Sequence, residues 1–237
     1  MTKIKDWILL HVYSSPRLTG WLVFLFSLSV ILFFSFVEYK LKLSAERELV
    51  NFKLNEFENL LSNALNDGIS ASKTLGFFAQ NQEDVIQNFE NIGKQILESN
   101  TDVDVIQYLD SGTIVAVYPL AGNEIVIGYN VLKDSTNNKE VQEAIRRNDV
   151  YFSGPINLRQ GGKGIVGRYP LFEGDKLKGL SAVIIDFNKL FEKVSQSENN
   201  KGDFVFQLSK VNPNTQLLEE FGPNTDIENL TGHKASV

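Results

Sequence analysis

Between Leu18 and Val37 the chain carries no Asp, Glu, Lys, Arg or His. A helix of about 20 apolar residues, rising about 1.5 Å per residue, spans the roughly 30 Å hydrocarbon core of a bilayer. A cleaved signal peptide has a shorter apolar stretch, about 7 to 15 residues, closed by a small-x-small site. Here Glu38, Tyr39, Lys40 and Lys42 follow, and Leu43-Ser44-Ala45 lies behind those charges, so the run is predicted to remain as an anchor. Lys3, Lys5 and Arg17 before the span balance Lys40, Lys42 and Arg47 after it, so the basic-residue rule does not set the orientation. Everything resembling a domain follows the span, so residues 1–17 are expected as a cytoplasmic tail and the rest outside. Trp21 and Tyr39 suit the two interfaces.

Composition narrows the chemistry. The 237 residues include no cysteine and two histidines, and the net charge is −6. Disulfides, thiolate metal sites and cysteine nucleophiles are excluded together. His11 and His233 lie near opposite ends of the chain, which argues against a Ser-His-Asp triad or a histidine metal cluster. The acidic balance with scattered basic residues argues against a nucleic-acid surface. No pair of carboxylates has a spacing that marks an acid and a base, so no enzyme, metal or cofactor is expected.

Beyond the span the pattern is helical from Glu38 to Leu75, with no Pro or Gly between Trp21 and Asp67. Leu43, Val50, Leu54, Phe57, Leu61 and Ala64 share one face; it packs either on its own domain or against a second copy in a parallel homodimer. A second helix is predicted over Glu83 to Ser99. The period then changes to that of strands, at Asp104 to Leu109 and Thr113 to Tyr118, joined by Asp110-Ser111-Gly112. A helix over Asn138 to Arg147, capped by Ser135 or Asn137, precedes strands at Val150 to Leu158, Lys163 to Phe172 and Leu177 to Ile185, the last two joined at Glu173-Gly174-Asp175. A short helix, Phe187 to Val194, leads through a polar linker to a strand at Asp203 to Leu208, with turns at Asn212-Pro213-Asn214 and Gly222-Pro223-Asn224 and little further sheet. The fold class is α+β with an antiparallel sheet. Its parts are the tail, a membrane helix over 18–37, two helices over 38–100, a sheet subdomain over 101–195, and a linker opening an incomplete subdomain over 196–237.

The run Ser111-Gly112-Thr113-Ile114, Tyr118-Pro119-Leu120-Ala121-Gly122-Asn123-Glu124 and Ile127-Gly128-Tyr129-Asn130 resembles the bacterial CHASE sensor domains. The likeness continues through Ala144-Ile145, Ser153-Gly154-Pro155, Gln160-Gly161-Gly162, Gly167 to Phe172 and Gly179 to Asp186, about half the chain in order. It implies a periplasmic or extracellular sensor built from a membrane helix, a long helix and PAS-like subdomains, single-pass here in the cell inner membrane and taking a small-molecule ligand. In such proteins a second membrane helix joins the sensor to a histidine kinase or nucleotide cyclase. The second PAS-like subdomain would begin near Asp203 and normally runs further than this sequence, which implies a truncated sensor. The other class of function is a membrane-anchored dimerisation module without a ligand.

In a PAS-like domain a ligand sits between the sheet and the elements over it, among a few polar groups in an apolar wall. Arg168 leads the candidates, because a mid-strand cation needs a carboxylate, from Glu124 or Asp186 or from a ligand. Tyr118, Tyr151 and Tyr169 offer aromatic walls with hydroxyl tips, or are ordinary core tyrosines. Asp186 is either a further contact or the N-cap of the following helix. Gln160-Gly161-Gly162-Lys163-Gly164 lacks the Gly-Lys-Ser/Thr ending of a phosphate loop and precedes a strand, so it reads as a turn.

Overall fold

The computed structural model describes residues 16–82, 84–134, 138–195, 208–212 and 216–221. The described residues divide into two compact units, one up to Leu54 and the other from Asn55 onward. Helix α1, Pro16–Asn81, runs without a break through the boundary between them in the sequence. Within the first unit its side chains from Leu18 to Phe36 are largely exposed apolar groups, Phe26 at 72% and Trp21 at 65%. This stretch is long and apolar enough to cross a membrane. Glu38 and Lys42 form an (i, i+4) pair at 2.9 Å where the charged sequence begins.

The second unit is built on a five-stranded antiparallel sheet. Its strands are β1 Val105–Asp110, β2 Thr113–Tyr118, β3 Tyr151–Asn157, β4 Lys163–Glu173 and β5 Lys176–Asp186, in the spatial order β2-β1-β5-β4-β3. Both tight turns carry the backbone that hairpins demand. Ser111 and Gly112 have φ of 48° and 82°, as a type I′ turn requires, and Gly174 opens the β4–β5 turn at 61°. The predicted strands stand within a residue or two of their positions.

Alternation divides the sheet into two apolar faces. One carries Ile106, Tyr108, Val183 and Leu171 against the C-terminal part of α1 and helix α2, Phe89–Ser99. The contact is close because α1 presents Ala71, Ser72, Leu75, Gly76 and Ala79, all buried. A Cβ at Gly76 would lie 2.9 Å from Leu171 Cδ2. Ser181 Oγ on β5 donates to the Ser72 carbonyl at 2.7 Å, fixing helix to sheet. The other face carries Val105, Leu109, Val166, Leu180 and Ile184. Over it lie the β2–β3 connection, with a short 3-10 turn at Glu124–Val126, and helix α3, Asn138–Arg147.

Helix α4, Phe187–Ser195, and a two-stranded pair, β6 Leu208–Val211 with β7 Leu218–Phe221, close a third cluster with Ala64, Ile165 and Ile185. Phe57 meets Phe191 of α4 at 5.8 Å between ring centroids, so Phe57 and Ala64 pack within their own domain.

Several boundaries depart from expectation. Helix α1 continues past Leu75 to Asn81, because Gly76 serves close packing inside the helix instead of ending it. The second helix starts at Phe89, not Glu83: residues 84–88 are a hydrogen-bonded turn that buries Val85 and leaves Ile86 53% exposed, an apolar spacing that imitates a helix. The β6–β7 pair was not anticipated, since its strands have four residues each. The proposed caps Ser135 and Asn137, and residues 203–207 of the last predicted strand, lie outside the described residues.

Gly179 sits where β5 passes β1, and a Cβ there would stand 2.1 Å from the Leu109 carbonyl oxygen. Backbone cannot yield as a flexible side chain does, so Gly179→Ala should destabilise the domain by about 1–3 kcal/mol. Urea unfolding followed by circular dichroism measures it.

Candidate functional site

A row of registered residues crosses the second face of the sheet: Val117 on β2, Gln107 on β1, Ala182 on β5, Arg168 on β4 and Tyr151 on β3. Paired residues share a face, so these five side chains point the same way. The central residue is an alanine, which leaves a hollow between two long polar side chains on strands roughly 10 Å apart. The hollow continues as a cavity of about 260 Å³ with apolar walls from Ile114, Val126, Val131, Val141, Val166 and Ile184. Its polar lining comprises Gln107, Tyr129, Asp134, Asn157, Arg159, Gln160 and Arg168.

Arg168 is 7% exposed, and its Nη1 donates to Ser153 Oγ at 2.5 Å. Ser153 in turn donates to the Val166 carbonyl at 3.3 Å, which fixes the hydroxyl. Among the described residues Arg168 forms no ion pair and has no other hydrogen-bond partner. Burial pushes its guanidinium below the ordinary arginine range, while the negative field of Glu140, then of Tyr129 and Asp134, acts the other way. A guanidinium keeps its proton in proteins, so a cation stands here with most of its five donors uncommitted.

The mouth is a second polar group. Tyr129 donates to Asp134 Oδ2 at 2.5 Å, and the Arg159 guanidinium lies 4.2 Å from the centre of the Tyr129 ring. Burial raises the Tyr129 pKa, and Asp134 adds to the rise while Arg159 opposes it. Gln160 Nε2 is buried without a hydrogen-bond partner. The turn holding Arg159 and Gln160 is made by Gly161 and Gly162, with φ of 100° and 77°, and closed by Leu158 N to the Gly162 carbonyl at 3.0 Å. The glycine run is thus a turn between strands, and what it positions is Gln160.

Of the five residues singled out from sequence, Arg168 lines the cavity. Tyr151 shares its face, but its ring lies beside the cavity under Arg147 of α3, 5.0 Å from the guanidinium carbon. Tyr118 and Tyr169 are on the helix face, Tyr118 against Gly93 of α2 and Tyr169 with Lys73 over its ring at 5.9 Å. Asp186 accepts from the Asn188 and Lys189 amides at 2.8 and 3.2 Å, the geometry of an N-cap on α4. Neither Glu124 nor Asp186 pairs with Arg168, which corrects the expected internal salt bridge: Asp186 is committed to α4, and Glu124 is exposed in the 3-10 turn. Sequence reasoning did not single out Gln107, Tyr129, Asp134 or Gln160. A polar residue at the centre of the apolar run Val105–Leu109 was a signal for Gln107.

The second unit thus seats a long helix on one face of an antiparallel sheet and holds a small, partly polar cavity on the other. The CHASE domain profile matches residues 53–218, and the chain belongs to that family. It shares the fold of the sensory domain of the Campylobacter jejuni chemoreceptor Tlp3, at 19% identity and a TM-score of 0.50 over 72% of this chain and 69% of that one. The Tlp3 ligand-binding domain in complex with 4-methylisoleucine gives 15% and 0.51 over 70% and 66%. An extracellular ligand binding receptor from Desulfohalobium retbaense DSM5692 gives 18% and 0.50; the match takes in 69% of this chain but 29% of that receptor. No curated protein matches the sequence.

Breaking a buried ion pair costs about 3–5 kcal/mol, whereas removing an unpaired buried charge costs little. Arg168→Met, which keeps the aliphatic bulk and removes the desolvated charge, should therefore leave the ligand-free unfolding free energy unchanged or raise it. Equilibrium urea unfolding tests this, and a loss of the larger size would mean that Glu140 carries the arginine charge.

Proposed function

We propose that the chain is a membrane-anchored extracytoplasmic sensor that binds a small molecule between Arg168 and Gln107 and passes its occupancy on through α1 to an output module. The observation that carries this reading is the buried Arg168 cation, which no carboxylate among the described residues pairs and which faces a cavity instead. A protein that only dimerises gains nothing from leaving a charge in that state. The Tlp3 domain in complex with 4-methylisoleucine supports the idea that this fold admits a small molecule. The link to the helix is short: Arg168 pairs in register with Ala182, and the preceding residue, Ser181, holds the Ser72 carbonyl on the opposite face.

Ligand binding is tested by thermal unfolding of the full chain in detergent against a library of small metabolites. A binder should raise the midpoint in proportion to RT ln(1 + [L]/Kd). Val131→Phe, which fills the cavity from its wall, should abolish that rise; a ligand that stabilises the variant equally binds elsewhere, and the cavity reading fails.

The anchor is proposed to place the sensor outside the cell with residues 1–17 inside. Because the chain has no cysteine, Ser44→Cys gives a unique thiol. A membrane-impermeant maleimide should label it on intact cells; labelling only after lysis would reverse the orientation. A homodimer through α1 is proposed to use the stretch beside the span, where Leu49 and Phe52 are 49% and 63% exposed. Disulfide cross-linking at Val50→Cys should exceed that at Glu58→Cys.

A further inference from the structure

We infer that the ligand is a small carboxylate with a short aliphatic body, its head on Arg168 and Gln160. The inference rests on the cavity reading above and adds the chemistry that the cavity selects. Arg168 is a buried cation whose guanidinium, among the described residues, hydrogen-bonds only to a neutral hydroxyl, on Ser153. Gln160 Nε2, a donor, is buried in the same lining without any partner. Two under-used donors, one of them charged, call for an acceptor-rich anion. A planar carboxylate matches the guanidinium fork with two parallel hydrogen bonds.

The alternatives fit less well. A cationic head would meet Arg168 with like charge. A neutral amide or alcohol would leave the guanidinium without a counter-ion in a buried position, where an uncompensated charge is costly. A phosphate is disfavoured by size and surroundings: the walls are Val and Ile side chains, and the glycine turn carrying Gln160 leads into strand β4 instead of a helix N-terminus. The cavity of about 260 Å³ lies just below the roughly 300–1,000 Å³ of typical small-molecule pockets, which suits a small metabolite. Short aliphatic acids and aliphatic α-amino acids both answer this description. They share the carboxylate and the apolar body and differ in the ammonium group, for which the carboxylate of Asp134 in the lining is the one candidate acceptor of full charge.

The test is isothermal titration of the full chain in detergent with three isosteres, 4-methylpentanoate, 4-methylpentanamide and 4-methylpentylamine, and with L-leucine. The acid or leucine should bind, and the amide and amine should bind at least tenfold more weakly. Leucine tighter than 4-methylpentanoate assigns the amino acid, and the reverse order assigns the simple acid. Arg168→Met should lower affinity for the acid ten- to a hundredfold. Gln160→Met, in the turn between β3 and β4, should lower it several-fold while leaving the weak amide unchanged. Amide or amine binding as tightly as the acid overturns the inference, as does an acid whose affinity survives Arg168→Met. If neither acid nor leucine binds, while another metabolite stabilises wild type and not Val131→Phe, the carboxylate is wrong and the cavity sensor stands. If neither binds and no metabolite does so, both fall.

Discussion

Each residue of β5 has to satisfy one of two opposed faces, and the rest of the domain depends on how that strand divides its side chains. Ser181 and Val183 turn to the helix; Leu180, Ala182 and Ile184 turn to the cavity side. The helix face is packed as tightly as backbone allows. Ala71, Ser72, Gly76 and Ala79 bring α1 in close, and the Ser181 hydroxyl holds a main-chain carbonyl of the helix. The cavity face is built the other way, with a methyl group at the centre of a row whose flanking members are glutamine and arginine. Close packing on one side and a hollow on the other are thus alternatives distributed residue by residue along one strand.

The hollow has an electrostatic cost that the described residues cancel only in part. Taking a guanidinium out of water carries a penalty of several kcal/mol, and a hydrogen bond to a serine hydroxyl returns only a fraction of it. Glu140 supplies a stabilising field without forming an ion pair with Arg168, which keeps the cation tolerable while leaving its donors uncommitted. On the proposed reading, this combination is what a receptor needs and a stabilised core does not. A core arginine with a bidentate carboxylate partner is inert toward anions, whereas here a ligand carboxylate would relieve a pre-existing cost and so gain more than the same contact made at a surface.

Much of the fold was readable from residue periods and turn chemistry, because the strands alternate cleanly and Ser111-Gly112 and Gly174 take the left-handed backbone that tight hairpins need. Less of the site was. Arg168 stood out because a charge inside an apolar run is anomalous wherever the strand sits. Tyr169 follows Arg168 directly, so strand alternation already sets it on the opposite face, a rule that needed no structure. Tyr118 required the pairing register, which slips at the irregularity between Tyr108 and Leu109. The hollow over Ala182 was invisible for a different reason: it arises from strand order, β1 and β4 flanking β5, and the order is settled by long-range packing. Tyr129, Asp134 and Gln160 lie in connections without a period, so only the folded chain brings them together.

If the cavity reports to α1, the report has to pass through differential contact, since a ligand shifts an equilibrium only by the difference in its affinity for the two states. The geometry limits where that difference can be expressed. Arg168 pairs in register with Ala182, and the residue before Ala182 carries the hydroxyl that binds Ser72, so the ligand head and the helix are separated by one strand pairing and one peptide unit. The helix contact has no slack: a methyl group added at Gly68 would lie 3.0 Å from the Phe152 ring, and one at Gly76 would lie 2.9 Å from Leu171. An interface packed this closely transmits a displacement of β5 instead of absorbing it, because interdigitated side chains move together or not at all. The small residues of α1 then have a use beyond allowing the helix to dock. They are what makes the helix follow the strand.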